Sequence, residues 1–174
     1  MLQARAALYL AVTLPPVILL FAAPAWPWLA WLSLAWTTLL AAGLDEALPL
    51  GAAAGRTSRG ADVVALILGF LALGVVALVV LTASAPETAR GAAVGIFLAG
   101  AAWAGQTGNA VAHELIHRPP PLRWLGVAFY STVFFGHHAT AHPAVHHRHV
   151  ATPADPNTAR PGESFYRFAR RAYA

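Results

Sequence analysis

The stretch from Val63 to Leu81 contains no charged or hydrogen-bonding side chain, and it limits what the rest of the chain can become. A helix rises 1.5 Å per residue, so a run of about 20 apolar residues crosses the hydrocarbon core of a bilayer. Backbone polar groups in lipid must be satisfied within the segment, which a helix does unaided. Val63 to Leu81 therefore reads as a spanning helix. Composition extends the reading: of 174 residues 58% are hydrophobic and 10% charged, where a soluble domain carries about 25% charged residues.

The neighbouring segments fit the same scheme. Leu8 to Phe21 is almost continuously apolar behind Arg5, with Pro15 and Pro16 inside it. Arg5, this run and Ala22-Ala23-Pro24-Ala25 also have the layout of a signal peptide, but a second apolar segment follows at once and completes a helical hairpin. Trp28 to Ala42 is that segment, with Trp26, Trp28 and Trp31 at its start, where aromatic residues either mark a membrane–water boundary or simply pack. Gly43 to Ala61 reads as a polar loop carrying Asp45, Glu46, Arg56 and Arg59. A fourth helix is expected from Ala89 through Trp103 to the histidines, its last turns leaving the far side of the bilayer. Leu122 to Gly136 is apolar but only about 15 residues long, which suits a buried or re-entrant helix. Glu163 to Arg171 reads as a short basic, aromatic helix.

The expected fold is all-α: an integral membrane helical bundle of about four transmembrane helices plus a shorter re-entrant or buried helix. It forms a single membrane domain over residues 1–174 with a histidine-rich cap. All positive charge comes from arginine. In a four-span arrangement Arg5, Arg56, Arg59, Arg118, Arg123, Arg148 and Arg160 share one side, opposite Glu87 and Arg90. The positive-inside rule then predicts a multi-pass protein of a bacterial inner membrane with its histidines facing the cytoplasm. Arginines scattered at helix ends argue against nucleic acid as a partner.

All eight histidines lie between Asn109 and His149, and there is no cysteine. Any bound metal must be held by imidazole and carboxylate. His113 and His117 stand at i and i+4, on one helical face. His138, His142 and His146 repeat that interval, with His137, His147 and His149 alongside. Imidazole suits zinc, copper, iron and nickel. His113-Glu114-Leu115-Ile116-His117 also spells the HExxH signature of zinc peptidases, with Glu114 as general base. A catalytic zinc uses three protein ligands, fewer than this segment offers. A pair of oxygen-activating irons held between helices would use the set better. A membrane zinc metallopeptidase remains the alternative, as does a metal-free set of interfacial histidines.

Asn109-Ala110-Val111-Ala112-His113-Glu114-Leu115-Ile116-His117-Arg118 resembles the first histidine box of the membrane-bound alkane monooxygenases, within the membrane fatty-acid desaturase and hydroxylase superfamily. Gly136-His137, His142 and His146-His147 are similar to the second box. Val150 to Arg160 and Gly162 to Phe168 resemble the signature that follows it, and Asp45 sits in a loop where the family tends to carry an aspartate. The resemblance extends along essentially the whole chain and is most specific from His142 to Phe168. It implies a helical bundle in which a cytoplasmic site for two iron ions caps a hydrophobic channel. The implied activity is hydroxylation of the terminal methyl of an alkane or similar hydrophobic substrate with O2, with electrons from rubredoxin or ferredoxin.

By the same resemblance His113, His117, His137, His142, His146 and His147 are iron ligands. His138, where the family usually has another residue, is a further candidate, and His149 is spare. Glu114 becomes a partner of a ligand histidine rather than a base. The sequence departs from the family in two places. Ala141 replaces a glutamate that could orient a ligand, and no histidine follows His149, although the family carries a third box further on. The sequence therefore reads as an N-terminal part of such an enzyme or as a non-catalytic remnant.

Overall fold

A computed structural model describes residues 2–47 and 59–172, and every regular element among them is helical. Helix α1 (Leu2–Ala22) turns into α2 (Trp28–Ala35), which runs through a π-helical turn (Trp36–Leu40) into α3 (Ala41–Ala47). Helix α4 (Arg59–Ser84) is followed by α5 (Arg90–Trp103), a second π segment (Ala104–Gly108) and α6 (Asn109–Ile116), one unbroken helical path. Helices α7 (Leu122–Thr132) and α8 (His138–Ala141) lead to a third π segment (His142–His146), then α9 (His147–His149) and α10 (Phe165–Ala172).

Helix α4 is the hub, packed against α1, α5, α6 and α7. Its Leu68, Ala72 and Val75 are buried together with Leu20 of α1, Ile96 and Trp103 of α5 and Leu115 of α6. Taken element by element among the described residues, Gly60–Ser84 is the helix long and apolar enough to cross a membrane. Only 28% of its most apolar window is buried in the protein. Val63, Phe70, Val80 and Leu81 point outward, leaving an apolar surface that needs an apolar surrounding.

The proline pair in α1 shows how the bundle is tied together. Pro16 has no N–H, so the Val12 carbonyl loses its partner within the helix. The Trp36 indole N–H donates to that carbonyl at 3.0 Å. Close by, Ser33 Oγ donates to the Pro16 carbonyl at 2.7 Å and Trp103 Nε1 to the Thr13 carbonyl at 2.9 Å. An unmatched carbonyl in an apolar interior is costly, so these bonds hold the proline-bearing stretch of α1 against the second and fourth helical paths.

Several boundaries differ from the sequence expectation. The loop predicted from Gly43 is helical to Ala47, because alanine, leucine and glutamate carry the helix across one glycine; Arg56 lies outside the described residues. Helix α4 begins at Arg59 rather than Val63. The segment expected to be helical to Gly136 ends at Thr132, and Phe134 takes a left-handed φ of 59° that reverses the chain.

Helices α6 and α7 approach closely because Gly126 has no side chain. A Cβ there would stand 2.7 Å from the Ala112 carbonyl oxygen. Arg118, just past α6, has Nε 3.2 Å from Asp62 Oδ1 and Nη2 2.5 Å from Glu114 Oε1. It thereby joins the end of the first box to the first turn of α4.

Candidate metal centre

His113 lies in the last turn of α6 and His117 caps it, which puts their ring centroids 5.0 Å apart. The second box arrives from the other side. The Phe135 N–H bonds back to the Tyr130 carbonyl at 2.7 Å, and the chain then enters α8. His142 Nε2 comes to rest 2.7 Å from His113 Nε2 and 2.8 Å from His147 Nε2. Ligand atoms of His113, His117, His142 and His147 all lie within 4.8 Å of one another. A ring nitrogen holds one proton or one lone pair, so His142 Nε2 cannot form a linear hydrogen bond to each neighbour. Lone pairs converging on one metal ion account for both approaches.

The protonation states agree. Burial, followed by repulsion from the other histidines, pushes His142 down to about 4. His113, His117 and His138 are also lowered, burial again being the main cause. Neutral imidazoles are the form a metal requires. The donor set therefore fits a metal ion.

The interval i,i+4 in the second box holds for ring stacking but not for all of the nitrogens. His138, His142 and His146 form a column with centroids 4.7 and 5.0 Å apart. The π segment widens the helical turn, however, and it is His147, five residues on, whose Nε2 meets His142. His146 faces Asp155, with Nδ1 2.8 Å from Oδ2.

Asp155 is 1% exposed. It also accepts the Asn157 N–H at 3.0 Å and the Thr158 hydroxyl at 2.5 Å. Burial raises its carboxyl, but the bonds from Thr158, Asn157 and His146 outweigh that and hold it below the usual carboxylate range. An ionised carboxylate only accepts, so the His146 ring donates from Nδ1, and in the neutral ring the lone pair then sits on Nε2. Sequence reading missed this group because Thr152 to Asn157 looks like turns. The available signal was an aspartate followed by backbone and hydroxyl donors two and three residues on. Although Ala141 lacks the expected glutamate, an orienting carboxylate reaches the box from this later loop.

The remaining candidates lie around the group of four. His138 stacks on Phe135 at 4.8 Å and stands 6.3 Å from His113. His137 packs edge-on against Phe135 at 4.8 Å and is outside the convergent set. Glu114 is bonded to Arg118, with 51% of its side chain exposed, and is also outside that set.

Imidazoles gathered at the end of an apolar helical bundle define a histidine-box protein built to hold metal. The comparison with known proteins is more specific. The Fatty acid desaturase family matches residues 88–174, half of the chain, and the chain belongs to that family. The match includes every histidine and begins just before α5. The alkane 1-monooxygenase of Ectopseudomonas oleovorans is 45% identical over 60 residues, covering 34% of this chain and 15% of that protein. Alkane 1-monooxygenase 1 of Alcanivorax borkumensis shows the same identity and coverage. Alkane 1-monooxygenase 2 of Pseudomonas aeruginosa is 39% identical over 70 residues, 40% of this chain and 19% of the relative. These relatives support the alkane monooxygenase branch of the family, and the chain matches less than a fifth of their length. No solved structure matches it.

Proposed function

We propose that the chain serves a membrane monooxygenase that hydroxylates the terminal methyl of alkanes or similar hydrophobic molecules. The observation that carries this reading is the convergence of the His113, His117, His142 and His147 nitrogens within 4.8 Å. His146, oriented by Asp155, and the adjacent His137 and His138 add donors toward two iron ions, to be joined by the third histidine box that the family carries. When bound, iron supplies the activation of O2 and the oxidising power needed to attack an unactivated C–H bond.

The protein's own share is positioning and exclusion of water. Burial favours the neutral rings of His113, His117, His138 and His142, and Asp155 fixes which His146 nitrogen faces the site. Phe135 and Tyr130 cover His138. Glu114 holds Arg118 beside Asp62 and so steadies the end of the first box. The HExxH peptidase alternative loses support here, because its general base is engaged by Arg118.

Four spans are the membrane arrangement we favour: α1, the α2–α3 path, α4 and the α5–α6 path. Its support is the outward apolar face of α4, the unbroken path from Arg90 to Ile116 and the exposed Trp26, Trp28 and Trp31 at the first turn. The histidine end would face the cytoplasm of a bacterial inner membrane, where rubredoxin or ferredoxin could deliver electrons.

The test is metal analysis together with O2-dependent alcohol formation from octane in membranes. His142→Ala should abolish both iron loading and alcohol formation. Iron retained by that variant would overturn the proposal, as would zinc with a proteolysis that Glu114→Gln abolishes.

A further inference from the structure

We propose that Arg171 and Asp155 form a clasp that positions His146, so that α10 sets the geometry of the histidine site from outside it. This rests on the metal-site reading above. The chain of contacts starts at α10. Arg171 Nη1 donates to the Pro156 carbonyl and Nη2 to the Thr158 carbonyl, each at 3.0 Å. The same guanidinium holds Glu163 with two bonds, Nε to Oε1 at 3.0 Å and Nη2 to Oε2 at 2.8 Å. Glu163 Oε2 also accepts the Arg160 N–H at 3.0 Å, and the Phe168 ring lies 5.6 Å from the guanidinium.

Pro156 and Thr158 belong to the turn that presents Asp155. Within it the Asn157 N–H and the Thr158 hydroxyl are given to the Asp155 carboxylate, which accepts in turn from His146 Nδ1. Arg171 therefore fixes the backbone of the turn, the turn fixes the carboxylate, and the carboxylate fixes the tautomer and tilt of His146. A packing device for α10 alone would not need a fully buried carboxylate ending on a ring of the histidine column. Only a planar guanidinium can serve two carbonyls and a carboxylate together; a lysine ammonium keeps the charge but loses the fork. Arg171 and Asp155 are positioning residues, since neither belongs to the convergent set of ring nitrogens.

The test is anaerobic titration of the purified chain in detergent with Co2+, read by visible absorption. Asp155→Asn should weaken binding about 10- to 100-fold and alter the cobalt spectrum, as losses of orienting partners do. Arg171→Met should shift both readouts in the same direction, and Arg171→Lys less, while Arg170→Met should leave them unchanged. If Arg171→Met does not fold, Arg171→Lys and Thr158→Val carry the test, with helical content by circular dichroism as the control. Wild-type affinity and spectrum in Asp155→Asn, Arg171→Lys and Thr158→Val would overturn the clasp and leave the metal site standing. A wild-type chain that binds no Co2+ would instead overturn the metal reading and the clasp with it.

Discussion

Replacing Gly126 by alanine tests whether the approach of α6 to α7 sets the site. The added Cβ would lie 2.7 Å from the Ala112 carbonyl oxygen and 3.0 Å from Ile116 Cγ2 and Leu115 Cβ, where ordinary contacts are 3.4–4 Å. No rotamer change relieves a clash with a backbone oxygen, so α7 must withdraw by about 0.5–1 Å, at a cost of about 1–3 kcal/mol. Ala112 and Ile116 immediately precede His113 and His117, and α7 leads the chain toward His142. Metal–ligand distances tolerate only about 0.2 Å. If binding requires the native spacing, up to the whole strain appears as lost affinity, about 5- to 150-fold. The assay pairs thermal unfolding in detergent with Co2+ titration. Gly91→Ala is the control, since nothing lies within 4 Å of its added Cβ, and it should be neutral or stabilising by up to about 1 kcal/mol. Unchanged unfolding and Co2+ affinity in Gly126→Ala would refute the reasoning.

Two further perturbations follow from hydrogen bonds elsewhere. Trp36→Phe leaves the Val12 carbonyl without a donor and should cost about 1–3 kcal/mol beyond its packing loss, whereas in a Pro16→Ala background the restored N–H should remove most of that cost. Equal costs in both backgrounds of this double-mutant cycle would count against the proline argument. Hydrogen bonds from Arg171 and the Arg160 N–H depress the Glu163 carboxyl from 4.5 to about 2. A depressed acid stabilises the folded state above its unfolded pKa, and this contribution disappears as pH falls through the folded one. Docking of α10 should therefore persist at pH 4.5 and weaken toward pH 2, followed by hydrogen exchange at the Phe168 amide. Glu163→Gln should abolish that dependence, and weakening confined to pH above 4.5 would contradict the assignment.

Helix α4 and the first box were legible in the sequence because each depends on one regular helix. An uninterrupted apolar run needs no partner to be read, and His113 and His117 keep their interval on the page and in space. The second box was less legible, because His142, His146 and His147 offer both a four- and a five-residue interval. Only the path of the backbone chooses between them. Pro143 was a clue, since its missing N–H removes a bond to the preceding turn. Asp155 and Arg171 were hidden for another reason. Their partners are fixed by the folding of an irregular loop, and the Glu163–Arg171 pair has no helical spacing to announce it. The segment after Gly43 was misjudged because one glycine and two acids resemble a loop until the flanking alanines and leucines are weighed.

The three π segments carry a consequence for how kinship among such chains is scored. Each accommodates one more residue than an α-helical turn, and one residue corresponds to about 100° of rotation. Deleting one residue from Ala104–Gly108 would let that turn close to α and keep His113 and His117 in phase with His142. A deletion in the regular turns of Arg90–Trp103 would leave the spelling of the first box intact, yet swing both histidines away by more than a quarter turn. A sequence can thus keep every letter of the motif and lose the site through angular phase alone. In this protein the phase upstream of a histidine box is as much an inherited character as the box itself.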